Sequence, residues 1–449
     1  MKTNLTEGNI GTHVRNIAIP ASIGFFFNTM FNIVDTYFGG KLGDAALAGL
    51  TASFPAFFII LAASTGISTA TTVLIANFLG KKDPETAKAY YIQGIFMGII
   101  GGLTLTILGL AFGRPILEVM GLSGDVITYA TDYLNIIFLG TTFFILVSIL
   151  NTYLNAQGNT KVFRNLLIVA FFLNVVFDPW FMYGGFGVPQ MGIQGVAFAT
   201  VLVQIIECVF LIIYLKKHQI LSGNIRNFSL RLPIIKQIFL QAVPSSLNMI
   251  NIAVGSFIIN YFIASFGADA IAGYGVAIRI EQIALIPTIG LNIAALSIIG
   301  QNNGAHRYDR IKETMKICIT DGLYALGFSI FVTVLFGRIL FAQFTTSKGI
   351  TDIGMQYLYI ALGIFMAYVV SFVGGSALQG IKYPNRALIT GIIRQIVLPL
   401  LILPIVVHTF NLGLSAIWWS LLVINWISAL VTLYIAQISI KGREKAITI

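Results

Sequence analysis

Two stretches of this chain read alike: IPASIGFFFNTMFNIVDTYFGGKLGDAALAGL at residues 19–50 and VPSSLNMINIAVGSFIINYFIASFGADAIAGY at residues 243–274. Laid over one another at an offset of 224, they pair Pro20 with Pro244, Gly43 with Gly267 and Gly49 with Gly273. The register runs on to Gly80 over Gly304, where GKKDPETAK (80–88) and GAHRYDRIK (304–312) are polar connections of equal length and like sign. Further along, the offset becomes 222, with NAQG (155–158) over ALQG (377–380), each followed by a short basic loop. A register held over such a length marks an internal duplication.

Each copy is apolar far beyond the range of soluble domains. The 449 residues are 57% hydrophobic and 10% charged, with a mean hydropathy of +0.88, which identifies a polytopic membrane protein. Apolar runs long enough for a hydrocarbon core of roughly 30 Å at 1.5 Å per helical residue occupy 15–40, 46–78, 89–115, 128–157, 162–185, 191–216, 236–266, 273–300, 315–345, 353–380, 385–410 and 413–440. That predicts twelve transmembrane helices, six per copy. The polar start Met1–Ile10 has no small-residue cleavage site and the first run outlasts a signal segment, so the first helix is expected to be kept.

Six is even, so both copies enter the membrane in the same sense, the parallel pseudo-two-fold arrangement. The expected fold is an all-α integral membrane protein of two six-helix lobes, 1–215 and 236–449, joined by a cytoplasmic linker at 216–235 and leaving a V-shaped central cleft. The Gly94, Gly98 and Gly102 series in the third run is read as helix packing.

A formal charge of +10 does not point to nucleic acid here, because its distribution follows the membrane. Lys41, Arg114, Arg338 and Lys348 fall in one set of connections and Arg279 inside a run; the other basic residues are assigned to the termini and even-numbered connections. The positive-inside rule then places both termini in the cytoplasm of a multi-pass cell (inner) membrane protein. Cys208 and Cys318 both lie in apolar runs, and the four histidines scatter around helix ends, so neither a disulfide framework nor a metal centre is expected.

The acids carry the chemistry. A carboxylate at helix-centre depth costs roughly 2.5–3.5 kcal/mol on insertion scales, yet Asp35 and Asp178 lie in apolar runs. Their counterparts in the second copy are Ile259 and Leu400, or Leu398 if Pro179 is aligned with Pro399, and Asn174 is matched by Ile396. A residue needed only for packing should be needed twice. Asn28, Asn32 and Asp35 recur at i, i+4 and i+7, and Asn174 and Asp178 at i and i+4, so each set shares a helix face. Counted from the basic ends, both acids reach the outer half, where Thr200 of the sixth run lies at a similar depth. Together they predict a carboxylate pair with amide and hydroxyl support, able to share a proton. The same oxygens suit Na⁺, so Na⁺ at Asp35 and Asp178 is the alternative occupant.

Pro20 lies fifteen residues before Asp35 in the same run, where it removes a backbone hydrogen bond and permits a bend. Glu207 is expected to snorkel to the cytoplasmic interface, and Arg279 and Glu281, two apart, to need separate partners or a wet cavity.

The two-lobe repeat, IPAS followed by IVDTYFGGKLGDAALAGL, the stretch LNAQGNTK and the segment NVVFDP together resemble the multidrug and toxic compound extrusion (MATE) family over essentially the whole chain. An acid-bearing first lobe beside an acid-poor second lobe is similar to its DinF-like branch. The resemblance implies cation-driven antiport that exports small amphipathic, often cationic organic molecules by rocker-switch alternating access, not enzymatic catalysis. It implies that Asp35, Asn174, Asp178 and Thr200 form the coupling site, that Pro20 bends, and that Asn151, with Asn28 and Asn32, lines the cavity. No cofactor beyond a proton or Na⁺ and no partner beyond the bilayer are expected, and the chain is expected to act as a monomer. A lipid-linked oligosaccharide flippase should carry Arg and Lys in the interior of the first-lobe runs, and there are none away from the run edges; an intramembrane aspartyl protease needs GxGD, where this chain has only KLGD and LSGD.

Overall fold

The computed structural model describes residues 4–221, 229–410 and 412–448. Within the expected linker, residues 222–228, and Arg226 among them, lie outside the described residues. The rest folds as helices: α1 Ile10–Gly40, α2 Asp44–Gly80, α3 Pro84–Val119, α4 Gly124–Leu150, α5 Thr152–Ala156, α6 Lys161–Tyr183, α7 Ile193–Lys217, α8 Leu232–Ala264, α9 Ala268–Ala284, α10 Ile286–Gly304, α11 Tyr308–Ala342, α12 Lys348–Gly380, α13 Pro384–Ile392, α14 Leu398–Pro404 and α15 Leu414–Thr448. Eleven of these, counting α4–α5 and α13–α14 as one span each, are long and apolar enough to cross a membrane, and the bent pair α9–α10 supplies a twelfth.

Local sequence explains the breaks. The α9–α10 pair turns through 47° where Pro287, at the start of α10, removes a helical donor. Between α13 and α14, and again after α14, the backbone is π-helical, at Ile393–Val397 and Ile405–Thr409. Pro399 and Pro404 interrupt the i→i−4 ladder there, and the amide of Phe410 bonds the Ile405 carbonyl five residues back at 3.0 Å.

The duplication is visible in the backbone. Gly43 and Gly267, paired by sequence, precede α2 and α9 at φ 110° and 100°, a region L side chains rarely adopt. Lys82 and His306, also a repeat pair, both sit near φ 60° at the exits of α2 and α10. Gly49 lets α2 approach the α4 backbone at Ala130, and Gly273 lets α9 approach the α12 backbone at Ile350. In α3 a Cβ on Gly94 or Gly102 would press into Thr71 or Thr142, in accord with the packing role read from their spacing.

Two compact units result: Ile23–Ser246, and Met1–Ser22 with Leu247–Ile449. Their limits differ from the expected lobes 1–215 and 236–449, because each copy surrenders the start of its first helix to the other. A methyl on Gly66 of α2 would collide with Ala242 and Ser246 of α8; one on Gly290 of α10 would collide with Ala18 and Ser22 of α1. These two contacts are the same contact, related by the offset of 224 in all three residues. The small residues of IPAS and VPSS are thus what a glycine of the other copy packs against.

α3 begins with a capped turn in which Asp83 accepts the amide of Thr86 at 3.0 Å, ahead of Pro84 at the first helical position. The Thr86 hydroxyl and then its amide hold the Asp83 carboxyl below its ordinary value of 3.8. A depressed carboxylate stabilises the fold fully above the unfolded value and loses that effect as pH falls through the lower folded one. Asp83→Ala is therefore expected to lower the melting temperature at neutral pH, with the two proteins converging in acid; scanning fluorimetry in detergent at pH 7 and below pH 3.8 measures both.

Candidate functional site

α6 is positioned by its buried face, Leu166, Leu167, Ala170, Asn174, Asp178, Phe181 and Met182, whose spacing is helical. The face is apolar except for the amide and the acid. Past Pro179 the chain turns and doubles back: Met191 and Gly192 donate their amides to the carbonyls of Phe181 and Met182 at 3.1 Å, which sets α7 against α6. Thr200 then stands two turns into α7, opposite the acid.

Asp35, Asn174, Asp178 and Thr200 are all buried, Asn174 and Asp178 completely. Asn174 Nδ2 donates to Asp35 Oδ1 at 2.8 Å and to Asp178 Oδ1 at 3.0 Å. One amide nitrogen thereby bridges two acids from different helices. Thr200 Oγ1 donates to Asp35 Oδ2 at 3.1 Å and also approaches its own Val196 carbonyl at 3.0 Å. Among the described residues Asp178 Oδ2 and Asn174 Oδ1 have no hydrogen-bond partner, and no Lys or Arg forms an ion pair with either acid. Two buried carboxyl groups with no counter-cation among the described residues are thus joined by one amide donor.

Apolar layers enclose it. One turn along each helix, Phe31 of α1, Ala170 of α6 and Val203 of α7 form a buried cluster with Leu173 and Phe177 around them. On the other side lie Met182, Ile193, Val196 and Ala197. Tyr133 of α4 is buried beside both acids; the sequence signals it only as a tyrosine near the start of the fourth run.

The other expected cavity residues stand apart from the cluster. Asn32 is exposed and returns its amide to the Asn28 carbonyl at 2.8 Å, and Asn28 is half-buried. Asn151 sits buried at the junction of α4 and α5, with its side-chain oxygen unpartnered among the described residues. Pro20 is buried inside α1, beside the boundary between the compact units. At the second-copy positions, Leu400 is exposed and Ile396 half-buried.

Glu207 departs from expectation. It does not snorkel: it is 2% exposed, and neither carboxylate oxygen has a partner among the described residues. Its place on the buried stripe Thr200–Val203–Glu207–Leu211 of α7 overrides the short distance to the basic helix end. Arg279 and Glu281 do have separate partners, Arg279 over the Phe344 ring at 6.0 Å and Glu281 accepting from the Tyr357 hydroxyl at 2.7 Å. Arg394 lies inside the α13–α14 span, within the expected run 385–410, over the rings of Tyr368 and Phe372 at 5.4 and 5.5 Å. Aromatic faces, invisible to charge counting, accept that guanidinium.

The sequence model of the MatE family matches residues 20–180 and 244–405, two segments that begin at the paired prolines. The chain is similar to the multidrug export protein MepA of Staphylococcus haemolyticus, 25% identical over 442 residues, which are 97% of this chain and 95% of that protein. It is also similar to the probable multidrug resistance protein YoeA of Bacillus subtilis, 28% identical over 334 residues, 74% of this chain and 72% of that one. An outward-facing multidrug resistance MATE family transporter of the MOP superfamily shares the fold at a TM-score of 0.93, with 24% identity and 99% of each chain covered.

Proposed function

The chain belongs to the MatE family, and from that premise we propose that it is a secondary active antiporter that exports small amphipathic organic compounds, cationic ones among them, in exchange for protons. The names of MepA and YoeA support the drug-export part of this reading. The observation that carries the proton is the Asn174 amide, donating to both acids at once. A donor between two carboxyls occupies the point toward which a cation would need several oxygens to turn. A proton needs only one of those oxygens, and Asp178 Oδ2 is buried and accepts from no N–H or O–H group among the described residues.

In this cycle Asp35 and Asp178 load a proton on the outer side and release it on the other, with Asn174 and Thr200 holding the pair in register. Alternating access by rocking of the lobes couples this exchange to substrate movement. The chain works as a monomer in the cell membrane; its basic residues support the cytoplasmic placement of both termini. Na⁺ exchange is the second reading, favoured by Asp178 Oδ2 and Asn174 Oδ1, which accept no hydrogen bond among the described residues.

Transport into proteoliposomes under separately imposed pH and Na⁺ gradients tests the two. Drug movement is expected to follow the pH gradient without added Na⁺. Movement that follows Na⁺ and ignores pH overturns the proton assignment and leaves the site itself in place.

A further inference from the structure

Glu207 has no use in the cycle described so far. A buried acid kept for the fold shows its duty in a hydrogen bond or an ion pair, since leaving it unmade is expensive. Among the described residues Glu207 makes neither, on either oxygen, at 2% exposure.

Its position is specific. Thr200, bonded to Asp35, and Glu207 are seven residues apart on α7, so they lie on one face about 10 Å apart along the axis. Between them stands Val203, packed with Phe31 of α1 and Ala170 of α6. Each of these three is one turn from a member of the coupling site: Phe31 from Asp35, Ala170 from Asn174, Val203 from Thr200. The order along the helices is therefore site, apolar plug, Glu207, and then the basic end Lys216–Lys217.

Among the described residues no other buried acid lies beside Glu207; Glu85, which acts on Tyr153, is exposed. Cys208 is beside Glu207 on its own helix, with Tyr91 of α3 and Tyr153 of α5 next along. From the packed helices no ionisable side chain intervenes between Arg15 and Asp35 on α1, between Asp44 and Lys81 on α2, between Tyr133 and Tyr153 on α4–α5, or between Arg164 and Asp178 on α6.

We propose that Glu207 is the proton-carrying carboxyl beyond the plug, receiving the proton that leaves the Asp35–Asp178 pair and passing it to the side of Lys216 and Lys217. The inference rests on the proton-coupled reading. When the Phe31–Ala170–Val203 plug admits water, an O–H bond of the pair breaks, a water is protonated and hands on its proton, and an O–H bond forms on Glu207. The pair is left anionic and Glu207 neutral, so charge balances. Loss of that proton to bulk water resets Glu207.

The test uses full-length protein in liposomes: wild type, Glu207→Gln and Glu207→Asp, with drug uptake and internal pH followed together. Glu207→Gln is expected to fold as well as wild type and to keep drug–drug exchange, which moves no proton. It is expected to lose on the order of tenfold or more of pH-driven transport and to flatten the dependence of the rate on pH at the release side; Glu207→Asp restores that dependence. Wild-type rate and pH profile in Glu207→Gln overturn the proposal, as does an unfolded Glu207→Gln, which would expose a structural duty. A wild type unresponsive to the pH gradient instead overturns the proton-coupled reading beneath it.

Discussion

Asp35→Asn is expected to abolish pH-driven drug transport while leaving the protein folded and able to bind its substrate. Asparagine matches aspartate in shape, and its carbonyl oxygen still accepts from Asn174 Nδ2, the bond now 2.8 Å long. The Thr200 hydroxyl, which donates to Asp35 Oδ2 at 3.1 Å, is able to accept from the new amide nitrogen instead. Hydrogen bonding is therefore conserved and an uncompensated buried charge is removed, so the melting temperature is expected to hold or rise. What is lost is a group that exists in two protonation states. With Asp178 alone, the site no longer couples one loading event to two helices, and transport falls by a hundredfold or about that, the low end of what positioned proton transfer contributes. Initial uptake rates under a pH gradient, beside drug binding by fluorescence quenching, separate the two effects. Full activity would remove Asp35 from the mechanism; lost binding would make it a substrate contact instead.

Much of this site is legible in the sequence. Asp35, Asn174, Asp178 and Thr200 announce themselves because apolar runs make polar residues conspicuous and because the second copy, with Ile259, Ile396 and Leu400, shows what the fold does without them. Helical periodicity assigns faces, and distance from the basic ends assigns depth. Three things were hidden. The exchange of helix starts at Ala18–Ser22 and Ala242–Ser246 depends on contacts across copies, and a register match has no term for which copy a helix packs upon. Glu207 was misplaced because depth counting measures position along a helix axis and is blind to rotation about it; the stripe shared with Thr200 and Val203 turns it inward. The ring partners of Arg394, which lies within the expected run 385–410, do not show in the sequence because Tyr368 and Phe372 carry no charge. Asn28 and Asn32, conversely, share a helix face with Asp35 but stay outside the cluster: Asn28 lies two turns, about 10 Å, away along the axis, and Asn32 turns its amide back to the Asn28 carbonyl.

Gly195→Val is expected to damage the same site without touching any of its polar groups. A Cβ at Gly195 would lie 2.6 Å from the Phe181 carbonyl carbon and oxygen and 2.8 Å from the Met182 nitrogen. These are backbone atoms, so no rotamer change relieves the clash, and the α6 end is itself tied down by the amides of Met191 and Gly192. The start of α7 has to move away from α6. Phe181 is three residues beyond Asp178 and Gly195 five before Thr200, so the displacement acts within two turns of both. The Thr200–Asp35 bond, already 3.1 Å long, is the first to open. Overpacking of this kind typically costs 1–3 kcal/mol of stability, and misplacing a reacting group by about 1 Å costs as much as a hundredfold in rate. Lower melting temperature together with a loss of pH-driven transport greater than the loss of folded protein is the expected pair of results, with Gly195→Ala showing the same direction. Gly275→Ala is the control, because a Cβ there meets nothing within 4 Å. Equal transport per folded molecule in Gly195→Val and wild type would mean that the coupling pair tolerates a shifted α7, and that the close approach of α6 and α7 serves stability alone.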